Sequence, residues 1–140
     1  MRAENFGDLI FLDHGEFKLG YDSRGKPVAH VFLVIADGCS MLIDLFLCKT
    51  KEDDEIAEQI REWMDRHHIR PKAICGDQAF FTPKLNHLYG YYNIRPITLG
   101  PRTPWPNRAE SAVRLTKQHV AKMCISVDLE PGLKLSLIHI

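Results

Sequence analysis

Net charge, paired cysteines and long apolar runs are all missing from this chain of 140 residues, and each absence removes a class of function. Eighteen basic residues balance eighteen acidic ones, which argues against nonspecific attachment of the whole surface to a polyanion. The longest apolar runs, at 31–35 and 41–47, fall far short of a bilayer span and are broken by Asp37 and Asp44, so no membrane segment is expected. Glu4 and Asp8 stand where a signal peptide would need a basic stretch and then an apolar one, and an intracellular protein is expected. Cys39, Cys48, Cys75 and Cys124 are widely spaced, and three of them lie in or beside apolar runs, where a reduced thiol packs as a small hydrophobe. A zinc centre needs ligands in short pairs. The contiguous His67-His68 has no cysteine pair to complete one, and no zinc is expected.

What is present suits one domain, since a hydrophobic content of 45% over this length can bury a single core. Residues 6–12, 28–36 and 41–47 read as strands, rich in Phe, Leu, Val and Ile and separated by turn residues. Asp22-Ser23-Arg24-Gly25 is the first turn, and Asp37-Gly38 signals a hairpin. A helix is expected over 51–67, because Ile56, Ile60, Trp63 and Met64 fall on one stripe. Thr50 is its expected cap, and the acids at 52–55 suit the positive end of the helix dipole without any chemical role. A short strand at 71–76, a helix at 82–89 with Pro83 at its first position, and a strand at 93–97 follow. Pro101, Pro104 and Pro106 make 100–106 an extended loop, after which a 3.6-residue rhythm predicts a helix over 107–124. No internal repeat occurs, and the tail 133–140 has no interpretable period. The order implies an α/β fold: three antiparallel strands, then two parallel ones reached through helical crossovers, in a mixed five-stranded sheet flanked by helices.

The charges are unevenly distributed. Between residues 84 and 122 seven basic residues accompany the single acid Glu110, and the remainder of the chain is acidic. A domain that holds cations at one point and phosphates around it would divide its charges in this way. Phosphodiester transfer needs a nucleophile, a stabilised phosphorus centre and a leaving oxygen; two Mg²⁺ ions serve all three, and a few carboxylates suffice to hold them.

Asp13 ends the run Ile10-Phe11-Leu12-Asp13, and Asp77 follows Ala73-Ile74-Cys75-Gly76, so each is placed at a strand terminus. If those strands are neighbours, the two carboxylates meet at one edge. Glu110 falls in the first turn of the last helix and can approach from the side. Each acid has a plainer reading as well, the aspartates as turn residues and Glu110 as the third helical position of a capping box opened by Asn107. Arg114 and Lys117, four and seven residues after Glu110, share its helix face. His14 is adjacent to Asp13 along a strand and so is expected on the opposite face, outside the site. Trp105 and Tyr92 are candidates for stacking on unpaired bases near the active edge.

Four passages together carry a resemblance: Leu12-Asp13, the hairpin Val34-Ile35-Ala36-Asp37-Gly38-Cys39-Ser40, Ile74-Cys75-Gly76-Asp77-Gln78, and Pro104-Trp105-Pro106-Asn107-Arg108-Ala109-Glu110-Ser111. They resemble the catalytic core of retroviral and retrotransposon integrases, within the ribonuclease H-like superfamily, over most of the chain. The resemblance implies an integrase-type core over residues 1–140, cut short at its C-terminal helices. It implies Asp13, Asp77 and Glu110 as catalytic and metal-binding residues, with two Mg²⁺ (or Mn²⁺) ions. Arg108, Arg114 and Lys117 become nucleic-acid-binding residues, and Asp37 becomes a structural hairpin residue that binds no metal. The implied activity is DNA 3′-end processing and strand transfer, with DNA as partner, a homodimer or higher multimer as the assembly, and the nucleus as location in a eukaryotic retroelement. Alternatives on the same fold are a ribonuclease H-like nuclease and an inactive module that binds nucleic acid or protein. The chain departs from the family pattern at Gln78-Ala79 and Arg108-Ala109, where glycine and asparagine are usual.

Overall fold

Alternation along the first strand decides which side chains enter which layer. In the computed structural model, which describes residues 4–98 and 107–126, β1 (Ile10–Tyr21) sends Ile10 and Leu12 into one apolar cluster, and Phe11 and Phe17 into another on the opposite face. The same division runs along β2 (Pro27–Asp37), with Leu33 and Ile35 on the first face and Phe32, Val34 and Ala36 on the second. Near-continuous apolar sequence in β2 reflects burial on both sides. The sheet is completed by β3 (Ile43–Cys48), β4 (Ala73–Gly76) and β5 (Arg95–Thr98), in the order β3-β2-β1-β4-β5. β1, β2 and β3 pair antiparallel, and β4 and β5 join parallel, as the sequence pattern implied.

On the first face lie α1 (Asp53–His67) and α2 (Pro83–Tyr91). Ile56, Ile60 and Trp63 of α1, with Leu85, Leu88 and Tyr89 of α2, close that core. On the second face lies α3 (Asn107–Ser126), anchored by Val113 and Val120, two turns apart on one stripe. No helix among the described residues is long and apolar enough to cross a membrane.

Two expectations are corrected. Thr50 does not cap α1: Glu52 occupies the cap position and makes no side-chain cap bond. Glu55, three residues into the helix, instead reaches back to accept from the Lys49 and Thr50 amides, each at 2.7 Å, and from the Thr50 hydroxyl at 2.8 Å. A carboxylate at that position has the length to satisfy donors in the preceding turn, and so leaves Thr50 outside the helix. The first strand, moreover, does not end at Asp13; it runs eight residues further to Tyr21, because β2 continues alongside it through the Lys18–Ala29 pair. The turn at Asp22 and Pro83 in the first turn of α2 match the sequence reading, and the Thr82 hydroxyl caps that helix by accepting from the Leu85 amide. The proline-rich loop at 100–106, Trp105 and the tail at 133–140 lie outside the described residues, as do the side chains of Arg108 and Glu110.

Candidate active site

The register between β1 and β4 brings the two aspartates together. Ile10 pairs with Ile74 and Phe11 with Cys75, so continuing the parallel register sets Leu12 beside Gly76 and Asp13 beside Asp77. β4 stops at Gly76 while β1 continues, and the carboxylates therefore stand where the two strands part. Gly76 permits the approach: a Cβ there would lie 3.0 Å from the Phe80 ring and 3.2 Å from the Leu12 carbonyl oxygen.

Asp77 opens a short 3-10 turn, Gln78–Phe80, and its Oδ1 accepts from the Ala79 amide at 3.0 Å. Phe80 plugs the turn into the core, and the buried Tyr89 hydroxyl donates to its carbonyl at 2.7 Å. The Gln78-Ala79 step, which departs from the family pattern, is thus used to fix Asp77 from below. One carboxylate oxygen is committed to this turn, and the other has no hydrogen bond among the described residues.

Asp13 projects from β1 on the α3 side of the sheet, as strand alternation requires, and its side chain is 26% exposed. Its Oδ2 accepts from the Lys117 ammonium at 2.6 Å. Arg114 is exposed one turn before Lys117 on α3. Position 110 is seven residues before Lys117, so it falls on the same helical stripe about 10 Å nearer the start of α3. Lys117 thus reaches Asp13 from α3, with Arg114 exposed three residues earlier on the same helix. The contact of Lys117 with Asp13 had no signal in the sequence.

His14 faces the other way, its ring 5.0 Å from that of Phe80 on the α1 and α2 side, as expected from its place along the strand. Burial pushes its imidazole below the usual range, helped by the charge of Lys51 and opposed by Asp13 and Asp77. Its Nε2 is buried and unpaired among the described residues. Asp37 stands apart from the pair, only 1% exposed, with Oδ1 accepting from Gly7 and Oδ2 from the amides of Cys39 and Ser40 and the Ser40 hydroxyl. That is the structural hairpin role inferred from the sequence. Tyr92 is not at the active edge. It precedes β5, which runs parallel to β4, and so sits at the end of the sheet remote from Asp77, half-buried and edge-on to Tyr91 at 4.9 Å.

Among the described residues, no three His, Cys, Asp or Glu side chains converge closely enough to form a metal group. Asp13 and Asp77 do offer hard carboxylate oxygens at one rim, and the Lys117 ammonium stands where a cation would neutralise Asp13. Two carboxylates at one rim suit part of the shell of a hard divalent ion, and the side chain of Glu110, the third acid expected there, lies outside the described residues.

No protein-family model matches the sequence, and no curated protein matches it either. Solved structures do match in fold. The catalytic core domain of BIV integrase superposes with a TM-score of 0.65 at 18% identity, over 95% of this chain and 81% of that one. The HTLV-2 integrase catalytic core domain, solved with magnesium in a dimeric form, gives a TM-score of 0.72 at 16% identity, over 99% and 84%. A chain of the simian T-cell lymphotropic virus intasome gives 0.74 at 18% identity, over 99% of this chain and 49% of that one. The architecture is therefore ribonuclease H-like. Within that class it is the fold of retroviral integrase catalytic cores, in agreement with the motifs read from the sequence.

Proposed function

We propose that this chain is the catalytic core of a metal-dependent polynucleotidyl transferase that acts on DNA phosphodiesters, performing 3′-end processing and strand transfer. What supports this reading is the parallel register of β1 and β4, which continued past the Phe11–Cys75 pair sets Asp13 beside Asp77 where β4 ends, with α3 lying against β1 on the Asp13 side. In this reading Asp13, Asp77 and Glu110 hold two Mg²⁺ or Mn²⁺ ions. Bound there, the ions supply activation of water or a DNA 3′-hydroxyl and stabilisation of the leaving oxygen.

The chain's own residues hold and orient. The 3-10 turn and the Phe80 plug restrict Asp77, leaving one oxygen without a hydrogen bond among the described residues. The hydrogen-bonded neighbours of β1 restrict Asp13. Arg108, Arg114 and Lys117 are assigned to the phosphates of bound DNA, where their charge fixes register without reading sequence. Assembly as a dimer or higher multimer belongs to the same proposal; the HTLV-2 core has been solved in dimeric and trimeric forms.

The test follows thermal stability of wild type and Asp77→Asn during Mg²⁺ or Mn²⁺ titration, together with cleavage and joining of labelled DNA ends. Saturable stabilisation and metal-dependent joining, both lost in Asp77→Asn, are expected. Cleavage of RNA–DNA hybrids alone would assign a ribonuclease H instead. A folded protein with no response to either metal would leave only a binding module.

A further inference from the structure

Among the described residues, Lys117 is the side chain that neutralises a proposed metal ligand, and the way it does so has consequences for how metal and DNA are taken up. Its ammonium is 2.6 Å from Asp13 Oδ2, yet lysine and aspartate side chains are 35% and 26% exposed. The contact is therefore short, charge-assisted and half-solvated, a combination that is readily made and readily exchanged. Nothing else described binds Lys117: its partner comes from β1, 104 residues away in sequence, and the rest of the side chain is an unbranched stem on an accessible helix face. Arg114, three residues before it, is exposed and has no ion pair among the described residues.

A carboxylate oxygen holding an ammonium at that distance cannot also hold a divalent cation without setting two like charges side by side. Resting on the metal-binding reading above, we propose that Lys117 is a displaceable internal counter-cation: it occupies Asp13 when no metal is bound, leaves when metal binds, and only then becomes free to hold a DNA phosphate. Lys117 is a positioning residue in this scheme, since it acts through Asp13. The exchange protects Asp13 from carrying an uncompensated charge beside Asp77 in the metal-free protein. It also couples the two ligands. Metal binding releases a cation for DNA, and by linkage DNA that captures Lys117 must raise metal affinity by the same factor. The coupling requires no movement of backbone, only a lysine side chain changing partners.

The experiment measures Mn²⁺ affinity by electron paramagnetic resonance of the free ion, in the absence of DNA, for wild type, Lys117→Met, Lys117→Arg and Lys122→Met. Lys122 is exposed on α3 and tests the loss of one positive charge alone. Lys117→Met is expected to bind Mn²⁺ about tenfold more tightly, which corresponds to about 1.4 kcal/mol. Lys117→Arg should stay near wild type and Lys122→Met within about twofold of it. In parallel, the Lys117 Nζ resonance of ¹⁵N-lysine-labelled protein should move to the position of a solvated ammonium as Mg²⁺ saturates. Equal or weaker Mn²⁺ binding by a folded Lys117→Met, equal tightening in Lys122→Met, or an unmoved Nζ signal at saturation would each overturn the exchange while leaving the metal site standing. Failure of wild type and all variants to bind Mn²⁺ would remove the metal-binding reading and this inference with it.

Discussion

Adding one methyl group at Gly15 tests the packing that positions Asp13. Gly15 sits two residues beyond Asp13, on the same face of β1, and pairs with Phe32 of β2. A Cβ built there would lie 2.3, 2.6 and 2.9 Å from three carbons of the Phe32 ring, against the about 3.5–4.0 Å at which carbons rest in contact. The ring has no room to yield: Phe32 is 1% exposed and packs against Phe17 at 6.1 Å between centroids. Replacing glycine by alanine in a strand ordinarily gains about 0.5–1 kcal/mol through the unfolded chain, whereas forcing a methyl group into a packed core costs about 1–3 kcal/mol. Overlap with three atoms of an immobile ring belongs at the upper end of that cost, so Gly15→Ala should lose about 2 kcal/mol net, or about 8 °C in melting temperature for a domain of this size. Thermal melting and urea titration would read the loss. In a double-mutant cycle, Phe32→Leu should restore about half of it by opening space above the new methyl. A Gly15→Ala protein melting within about 2 °C of wild type would refute the claim that the ring seals this position.

Two further outcomes follow from side chains that hold loops. Asp37→Ala leaves the Gly7, Cys39 and Ser40 amides without their acceptor and should cost about 3 kcal/mol in urea titration, while the milder Asp37→Asn should bind Mn²⁺ like wild type; a loss under about 1 kcal/mol would contradict the structural role. Burial opposes the charge of Glu55, but hydrogen bonds from Lys49 and Thr50 outweigh it, so its carboxyl lies below the ordinary 4.5 in the folded chain. The stability this contributes is complete above that unfolded value and is lost as pH falls through the lower folded one. Glu55→Gln should accordingly cost about 0.5–1 kcal/mol near neutral pH, at the low end for a cap because the carboxylate is largely solvated, and the difference from wild type should shrink below about pH 4. A difference that stays constant from neutral pH into that acid range would show that the charge of Glu55 plays no part.

Much of the fold could be read in the sequence because burial repeats at short range. Ile56, Ile60 and Trp63 declare α1, the Asp37 hairpin separates β2 from β3, and Thr82-Pro83 marks the start of α2. The second half of β1 was not legible, since Gly15, Glu16, Lys18 and Gly20 interrupt the apolar pattern, and Phe17 is the large side chain buried there among the described residues. The cap of α1 was misjudged because a hydroxyl next to a helix start is the commoner cap, and nothing local showed that Glu55 would reach past it. Within the site, strand-end position and family resemblance picked out Asp13 and Asp77, but their meeting depends on β4 lying beside β1, which no local pattern encodes. The Lys117 contact is beyond sequence reading for the same reason: it exists only because α3 docks across a strand from the opposite end of the chain.

The unequal lengths of β1 and β4 have a bearing on how the protein behaves in concentrated solution. Past Phe11, β1 has a ladder partner on only one side among the described residues, so half of a central strand presents backbone donors and acceptors like the rim of an unfinished sheet. Such a rim is a template on which a second extended chain can add. Here the outward positions are Glu16 and Lys18, and the pairing with β2 becomes irregular between Lys18 and Tyr21. Charged side chains in the row and the irregular end of the ladder disfavour the flat, apolar strand addition that aggregation needs. The step in the sheet that sets Asp13 beside Asp77 thus also leaves an unpaired ladder, and the charge and irregular pairing along the overhang oppose the addition of a second strand there.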